Sequence, residues 1–435
     1  MHRRYRSSFH KLASMVRQIE KAPFESYDLI RDLQRALVTR IKRTERRLVE
    51  LKSERKRLSK TLKSGRLARA ESEKIRDDTK RLDLAIEEAK HLLFVWRSFG
   101  DAIACIYLDT WSLKHMFYST EDYSARQSAG ALSGNAGASN EWRVLLRLLK
   151  NQIPAVLCDL TNTLRFGDVC VLVGPDPYPI EVKSSFNSNA RTARQASNLK
   201  ELHDFLRTDA ADHFRGLRDV RRVEMQVPAF NLSALNACIE RSGTEGYAVE
   251  YPEAGLTYLC VRAGAPVPPL QTFGFGDRHL VGCLTESLLA SDWMPCRPPI
   301  VSIFKPDHVA QFLCGEIFIF VVVDSETTES ILARDGLVPI FVDDPQIVCW
   351  VTRDRSNEGL EASYSAITKN VFRRIFLEFS SLSGVMRMIV DGHARFEALA
   401  LNEPVSLETA KSMLAEGSAI EWPPVMKPLF KHRSP

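Results

Sequence analysis

The chain has 435 residues, 45% of them hydrophobic and 26% charged, which excludes a disordered chain and supplies core material for two or three domains. Nine cysteines without a Cys-x-x-Cys pair and an Arg-rich start with no hydrophobic signal segment predict a reduced cytoplasmic protein with no zinc ribbon and no membrane contact. Net charge is only +5, but residues 1–100 carry 27 Lys and Arg against 14 Asp and Glu, and the remainder 32 against 40, so the basic surplus lies at the front.

The first element is heptad-patterned. Leu37, Ile41, Thr44, Leu48, Leu51, Arg55, Leu58 and Leu62 recur in alternating steps of 4 and 3, Ser64-Gly65 interrupts, and Ile75, Thr79, Leu82, Ile86, Ala89, Leu93 and Trp96 resume. Two long helices joined at Gly65 form either an antiparallel hairpin within one chain or arms that pair between chains, with Arg55 an imperfection in the seam. A coiled-coil spacer accounts for the leucines. Its jobs are dimerisation into a homo-oligomer, reach, or presentation of a basic surface to DNA, since cations that neutralise phosphates release counterions. The arm spans residues 1–112. Phe99 to Leu108 continues it into an apolar region, which predicts docking on a globular body, and Gly100-Asp101 is not read as a metal site. Residues 113–140, crowded with Ser, Gly and Ala from Ser128 to Ser139, read as a flexible loop.

Asn140 to Lys150 has apolar residues at helical spacing behind an Asn that can cap it, with Glu141 in the first turn. Then Gly167-Asp168 opens a β-branched run over Val169 to Val173, Gly174 to Pro179 is dense in turn residues, and Ile180-Glu181-Val182-Lys183 alternates apolar and polar. The segment predicts a β-hairpin, and a turn centred near Asp176 would gather Asp168, Glu181 and Lys183 on one side. A helix from about Thr192 to Leu206 follows, with Arg191, Arg194, Gln195, Lys200 and Arg207 on or beside it.

An Asp at the start of one strand followed, one hairpin later, by Glu-x-Lys resembles the PD-(D/E)XK nuclease superfamily over roughly Glu141 to Arg222. The resemblance implies a restriction-endonuclease-like mixed sheet core flanked by helices over residues 141–226, α/β in class within an α+β whole. It implies Asp168, Glu181 and the Val182 carbonyl as ligands of Mg²⁺ (or Mn²⁺), and Lys183 as the residue that orients or activates water. Glu141 is the additional helix acid, and Arg191, Arg194 and Gln195 hold the substrate backbone. The expected activity is cleavage of DNA, as in restriction or anti-phage defence, against the alternative of a non-catalytic DNA-binding scaffold with the same fold.

Other readings stand beside these. Glu50-Leu51-Lys52, Glu54-Arg55-Lys56, Asp78-Thr79-Lys80 and Glu88-Ala89-Lys90 carry the same triplet on what reads as solvated helix, so the triplet alone decides nothing. Glu141 near a helix N-terminus is equally the dipole-favoured choice, and the basic residues after the hairpin are equally a wet face. His203 and His213 read as solvated and Cys170 as strand packing. Residues 227–435 predict an α+β domain naming no chemistry of its own. Its strands are expected at Tyr247–Tyr251, Thr257–Val261, Ile317–Val323 and Ile347–Val351. Ile317–Val323, the longest apolar stretch, is far short of the ~20 residues that cross a bilayer. Helices are expected at Tyr364–Phe379, Gly384–Leu399 and Leu407–Leu414.

Overall fold

A computed structural model of the chain describes residues 2–65, 67–122, 124–126, 130–134, 137–182, 190–222, 226–266, 270–276, 278–291, 293, 295–342, 347–353 and 364–400. The protein is mixed α+β, with long helices and several small antiparallel sheets. It divides into two compact units, the first made of the chain up to Phe117 together with Arg126–His203, the second of Tyr118–Ala125 together with the chain from Asp204 onward. The heptad helices and the acidic hairpin therefore share one unit.

The first unit begins with α1 (Arg6–Lys21), α2 (Tyr27–Ser64) and α3 (Arg69–Tyr107). The two heptad blocks fold back on one another within the chain. At the seam Leu51 is buried with Ile86 and Ala89, and Leu48, Leu82 and Ala85 pack against them. Arg55, at its core-type position, turns outward and meets Asp83 of α3 at 2.8 Å. Nearer the body the seam merges into a core of Phe9, Leu12 and Val16 from α1, Leu33, Leu37 and Ile41 from α2, and Trp96, Phe99 and Ile103 from α3, all fully or almost fully buried. Each such side chain removed from water contributes about 1.5–3 kcal/mol, so this end of the hairpin is structural core.

Two features weld the hairpin to the sheet beside it. Gln34 of α2 is buried; its Nε2 donates to the Ala155 carbonyl and its Oε1 accepts from the Leu157 N–H, both at 3.0 Å, so an amide side chain completes a strand edge. Gly100 lets α3 press on the chain after that strand, because a Cβ there would stand 2.0 Å from the Leu160 carbonyl oxygen. Asp101, next to it, is buried and accepts from the N–H groups of Asn162 and Thr163, each at 2.9 Å, as a structural acid.

After the short α4 (Lys114–Phe117) come α5 (Ala138–Lys150), β1 (Ala155–Leu157), β2 (Val169–Val171), β3 (Tyr178–Ile180) and α6 (Ala190–Thr208). Helix α5 starts earlier than its Asn suggested. Its cap position is Gly137, and Asn140 lies inside the first turn, accepting from Arg143. The three strands form an antiparallel meander with Leu157 opposite Val169 and Val169 opposite Ile180. Helix α5 lays its buried Leu145 and Leu149 on this sheet. The triplets at Glu50, Glu54, Asp78 and Glu88 all fall on α2 or α3, as expected of solvated helix.

In the second unit β4 (Ala210–Phe214) and β5 (Leu217–Arg221) form a hairpin, and α7 (Leu232–Glu245) packs on β6 (Tyr247–Glu253) and β7 (Leu256–Arg262). Next come β8 (His279–Cys283), α8 (Leu284–Leu289), α9 (Pro299–Ser302), α10 (Pro306–Leu313), β9 (Ile317–Asp324) and α11 (Ser325–Arg334). The described chain ends with β10 (Leu337–Phe341), β11 (Ile347–Arg353), β12 (Tyr364–Thr368), α12 (Lys369–Leu377) and α13 (Leu382–Ala400). One antiparallel sheet has the order β6-β7-β9-β8 and another β10-β11-β12. The four strands expected from the apolar runs are present. The helix expected over Tyr364–Phe379 is not continuous: Tyr364–Thr368 pairs with β11 as a strand, and only the remainder is helical. Glu253 binds the start of α13, accepting from the N–H groups of Leu382 and Ser383 at 2.7 and 3.1 Å. Leu407–Leu414 lies outside the described residues. All nine cysteines are free and buried, and among the described residues no helix is long and apolar enough to cross a membrane.

Candidate functional site

The hairpin forms, and its register puts two of the expected acids together. Val171 faces Tyr178 and Val169 faces Ile180, so the turn is centred between Gly174 and Pro175 rather than near Asp176. Gly174 takes the left-handed backbone that begins this turn, with φ of +92°. Continuing the register one step past the strand ends brings Asp168 opposite Glu181, and Asp168 Oδ2 accepts from the Val182 N–H at 2.7 Å.

Gly167 makes the close approach workable. Its φ is +71°, and a Cβ there would lie 3.0 Å from both the nitrogen and the oxygen of Ile180. Any larger residue would strain the turn into β2 and push β3 away from Asp168.

Burial holds both carboxylates away from free ionisation, and the Asp168 charge adds to the effect on Glu181, whereas a hydrogen bond with Glu181 favours the ionised form of Asp168. Burial raises the Asp168 carboxyl above its usual range against the opposing hydrogen bond from Val182, and the nearby Asp159 charge raises it further. Burial also raises Glu181, as do the charges of Asp168 and Glu141, while Arg126 pulls it the other way. Glu141 is itself buried, in the first turn of α5. The site is thus an acid cluster whose like charges oppose one another in a partly dehydrated place, the setting that a bound cation relieves.

Two members come from sequence-distant segments that the motif does not announce. Asp159 follows β1 in a 3-10 turn and accepts from the Gly130 N–H at 3.2 Å, near Arg97, which donates to the Asp159 carbonyl. Arg126 sits inside the segment expected as a flexible loop, with its guanidinium 3.8 Å from the centroid of the Phe166 ring. A cation stacked within a Ser- and Gly-rich stretch leaves no periodic signal, and only the fold shows what it faces.

The helix after the hairpin docks on β3 through His203. Its ring stacks on Tyr178 with centroids 4.6 Å apart, and Nε2 lies 3.0 Å from the Pro179 carbonyl oxygen. His203 is therefore not the solvated histidine its polar surroundings predicted, whereas His213 is exposed on β4. Arg194 is exposed and Gln195 half-buried on α6, and Arg191 is in its first turn, with its side chain outside those described. Lys183 lies outside the described residues, so Asp168 and Glu181 are the members of the expected catalytic set that the structure brings together. Cys170 is fully buried and its thiol is pushed up to about 12 by burial, in keeping with strand packing.

Among the described residues no three His, Cys, Asp or Glu side chains converge closely enough to hold a metal by themselves. The ligand set on offer is the Asp168–Glu181 pair, with Glu141 felt through its charge. Two carboxylates nevertheless suit Mg²⁺, which keeps several waters and is commonly held by one or two carboxylates together with substrate phosphates. Comparison with family models, characterised proteins and solved structures finds no match to this chain.

Proposed function

We propose that this protein is a divalent-metal-dependent nuclease that hydrolyses DNA phosphodiester bonds at the β2–β3 hairpin, in a PD-(D/E)XK-like core. The observation that carries this reading is the facing pair Asp168 and Glu181, two half-buried acids whose ordinary ionisation is opposed by burial and by neighbouring charge. Asp168, Glu181 and the Val182 carbonyl would hold Mg²⁺ or Mn²⁺. When bound, the metal polarises a phosphate oxygen and lowers the pKa of a water.

The chain's own groups divide the remaining work. The Asp168 carboxylate is fixed by the Val182 N–H, which preorganises it beside Glu181. Glu141 adds negative charge next to the pair, and Arg126 offsets part of it. Lys183, two residues beyond Glu181, would orient the attacking water or meet charge developing on the phosphate. Arg191, Arg194 and Gln195, three and four residues apart on α6, would hold the substrate backbone. A place in anti-phage defence or restriction is an analogy from the joining of such a core to accessory regions. Assembly of two copies through the arm is not part of the reading, because α3 fills the α2 seam within the chain.

A second reading has an observation of its own. Asp168 gives one carboxylate oxygen to a main-chain N–H, the behaviour of an acid that closes a strand end. A protein that keeps this fold to bind DNA without cutting it would use Asp168 in that way. Incubating the purified protein with plasmid, linear and single-stranded DNA and with RNA, each with Mg²⁺, Mn²⁺ or EDTA, separates the two. Metal-dependent cleavage that EDTA abolishes supports the nuclease, and binding without cleavage under every metal condition supports the scaffold.

A further inference from the structure

Most of the basic surplus at the front of the chain lies on one helix. Helix α2 carries 13 Lys and Arg against 5 Asp and Glu, whereas α3, its partner in the hairpin, carries 7 against 8. Ion pairing sharpens the difference. On α3, Arg69, Lys80, Arg81 and Lys90 each pair with an acid three or four residues away. On α2, Arg43, Arg46, Lys52, Lys56, Lys60 and Lys63 are exposed and none has an acidic partner among the described residues.

Helical geometry collects these charges. With the seam fixed by Leu48 and Leu51, a turn of 100° per residue places Arg46 and Lys60 on the side facing away from α3, with Arg43 and Lys56 flanking them on either side and Lys52 and Lys63 nearer the seam. From Arg43 to Lys63 the row is about 30 Å long at ~1.5 Å per residue. Duplex nucleic acid presents about one phosphate charge per 1.7 Å of its axis, so a straight rod of this length meets more phosphates than it has cations. The composition also separates a nucleic-acid backbone from a lipid surface. An interfacial helix needs an apolar face to insert, and the one large apolar residue strongly exposed among those described on α2 is Val49, at 66%.

We propose that the outward face of α2 is a docking surface for the phosphate backbone of duplex nucleic acid. It stands on the charges of α2 alone and holds whether or not the β2–β3 hairpin cleaves. Binding is electrostatic and independent of sequence, so its signature is salt dependence rather than base preference.

The test uses the full chain in EDTA, so that no cleavage intervenes, with fluorescein-labelled duplex DNA, duplex RNA and phosphatidylserine vesicles as probes. The slope of log affinity against log salt is compared between the parent, an Arg46→Gln/Lys56→Gln/Lys60→Gln variant on α2, and a Lys74→Gln/Arg76→Gln/Lys80→Gln variant on α3. All six side chains are exposed, so the fold tolerates both sets. Each lost phosphate contact flattens the slope by about 0.9, which predicts a change of roughly 2 to 3 for the α2 variant and little for the α3 variant. The DNA and RNA arms show which duplex is bound. Equal slopes for the two variants, no duplex binding by the parent, or a loss confined to vesicles would overturn the proposal.

Discussion

Asp168 and Val182 are joined side chain to main chain, the Asp168 carboxylate accepting the Val182 N–H at 2.7 Å across the open end of the β2–β3 hairpin. The bond sets the acid beside Glu181 before any ligand arrives. It also joins the end of β3, where metal-binding and water-positioning groups are expected, to the start of β2, so the geometry of the site depends on the backbone that precedes Asp168.

Gly167 is the first test of that dependence. Gly167→Ala places a Cβ at φ of +71° and 3.0 Å from Ile180 main-chain atoms. The variant should lose about 1–3 kcal/mol of stability, read as a lower urea midpoint with an unchanged slope. A midpoint equal to that of the parent would show that the hairpin gives way without strain.

The Asp168–Glu181 pair makes a signed statement about pH. Both folded pKa values lie above their unfolded ones. The pair therefore contributes stability that is fully present below the ordinary carboxylate range and is lost as pH rises through the raised values. In EDTA, Asp168→Asn should be more stable than the parent at neutral pH, with the difference closing as pH falls toward about 4. Mg²⁺ should stabilise the parent at neutral pH and leave the variant where it was. A difference that is the same at every pH contradicts the assignment.

Gln34 tests the weld between the hairpin arm and the sheet. Gln34→Ala leaves the Ala155 carbonyl and the Leu157 N–H without their partner in a buried place. At about 1–3 kcal/mol for each abandoned group, the loss should reach roughly 2–6 kcal/mol. Hydrogen exchange should quicken at Leu157 and along β1 before the rest of the unit, and uniform protection would refute the local role.

Arg55 gives a prediction in the opposite direction. Its pair with Asp83 is exposed to solvent, and such pairs contribute little to stability. Arg55→Leu restores an apolar residue to the seam and should raise the thermal midpoint slightly. A lowered midpoint would mean that the charge pair aligns the two helices.

The heptads, the hairpin and the central apolar strands were legible in the sequence because each is a local pattern with its own period. Leu48 and Leu51 declare a seam, but two heptad blocks do not say whether the seam closes within a chain; the fold answers with Ile86 and Ala89. The Asp168–Glu181 pairing was legible in kind but not in register, since the turn around Gly174 sits earlier than its Pro-rich centre implied. Tyr364–Thr368 misled because its helical reading ignored the strand beside it: pairing with β11 overrides local spacing. Asp159, Arg126 and Gln34 reach their partners across long stretches of chain, and no spacing encodes such contacts.

The most direct test is the rate at which the protein cleaves DNA with Mg²⁺, compared between the parent and Asp168→Asn. The substitution keeps a carbonyl oxygen for the Val182 N–H but removes the charge that would hold the metal. The expected outcome is cleavage by the parent that EDTA abolishes, and a loss of about 100-fold or more in the variant, equivalent to at least ~2.7 kcal/mol of transition-state stabilisation. A variant that cuts within a few-fold of the parent, or a parent that cuts nothing with any divalent metal, would contradict it.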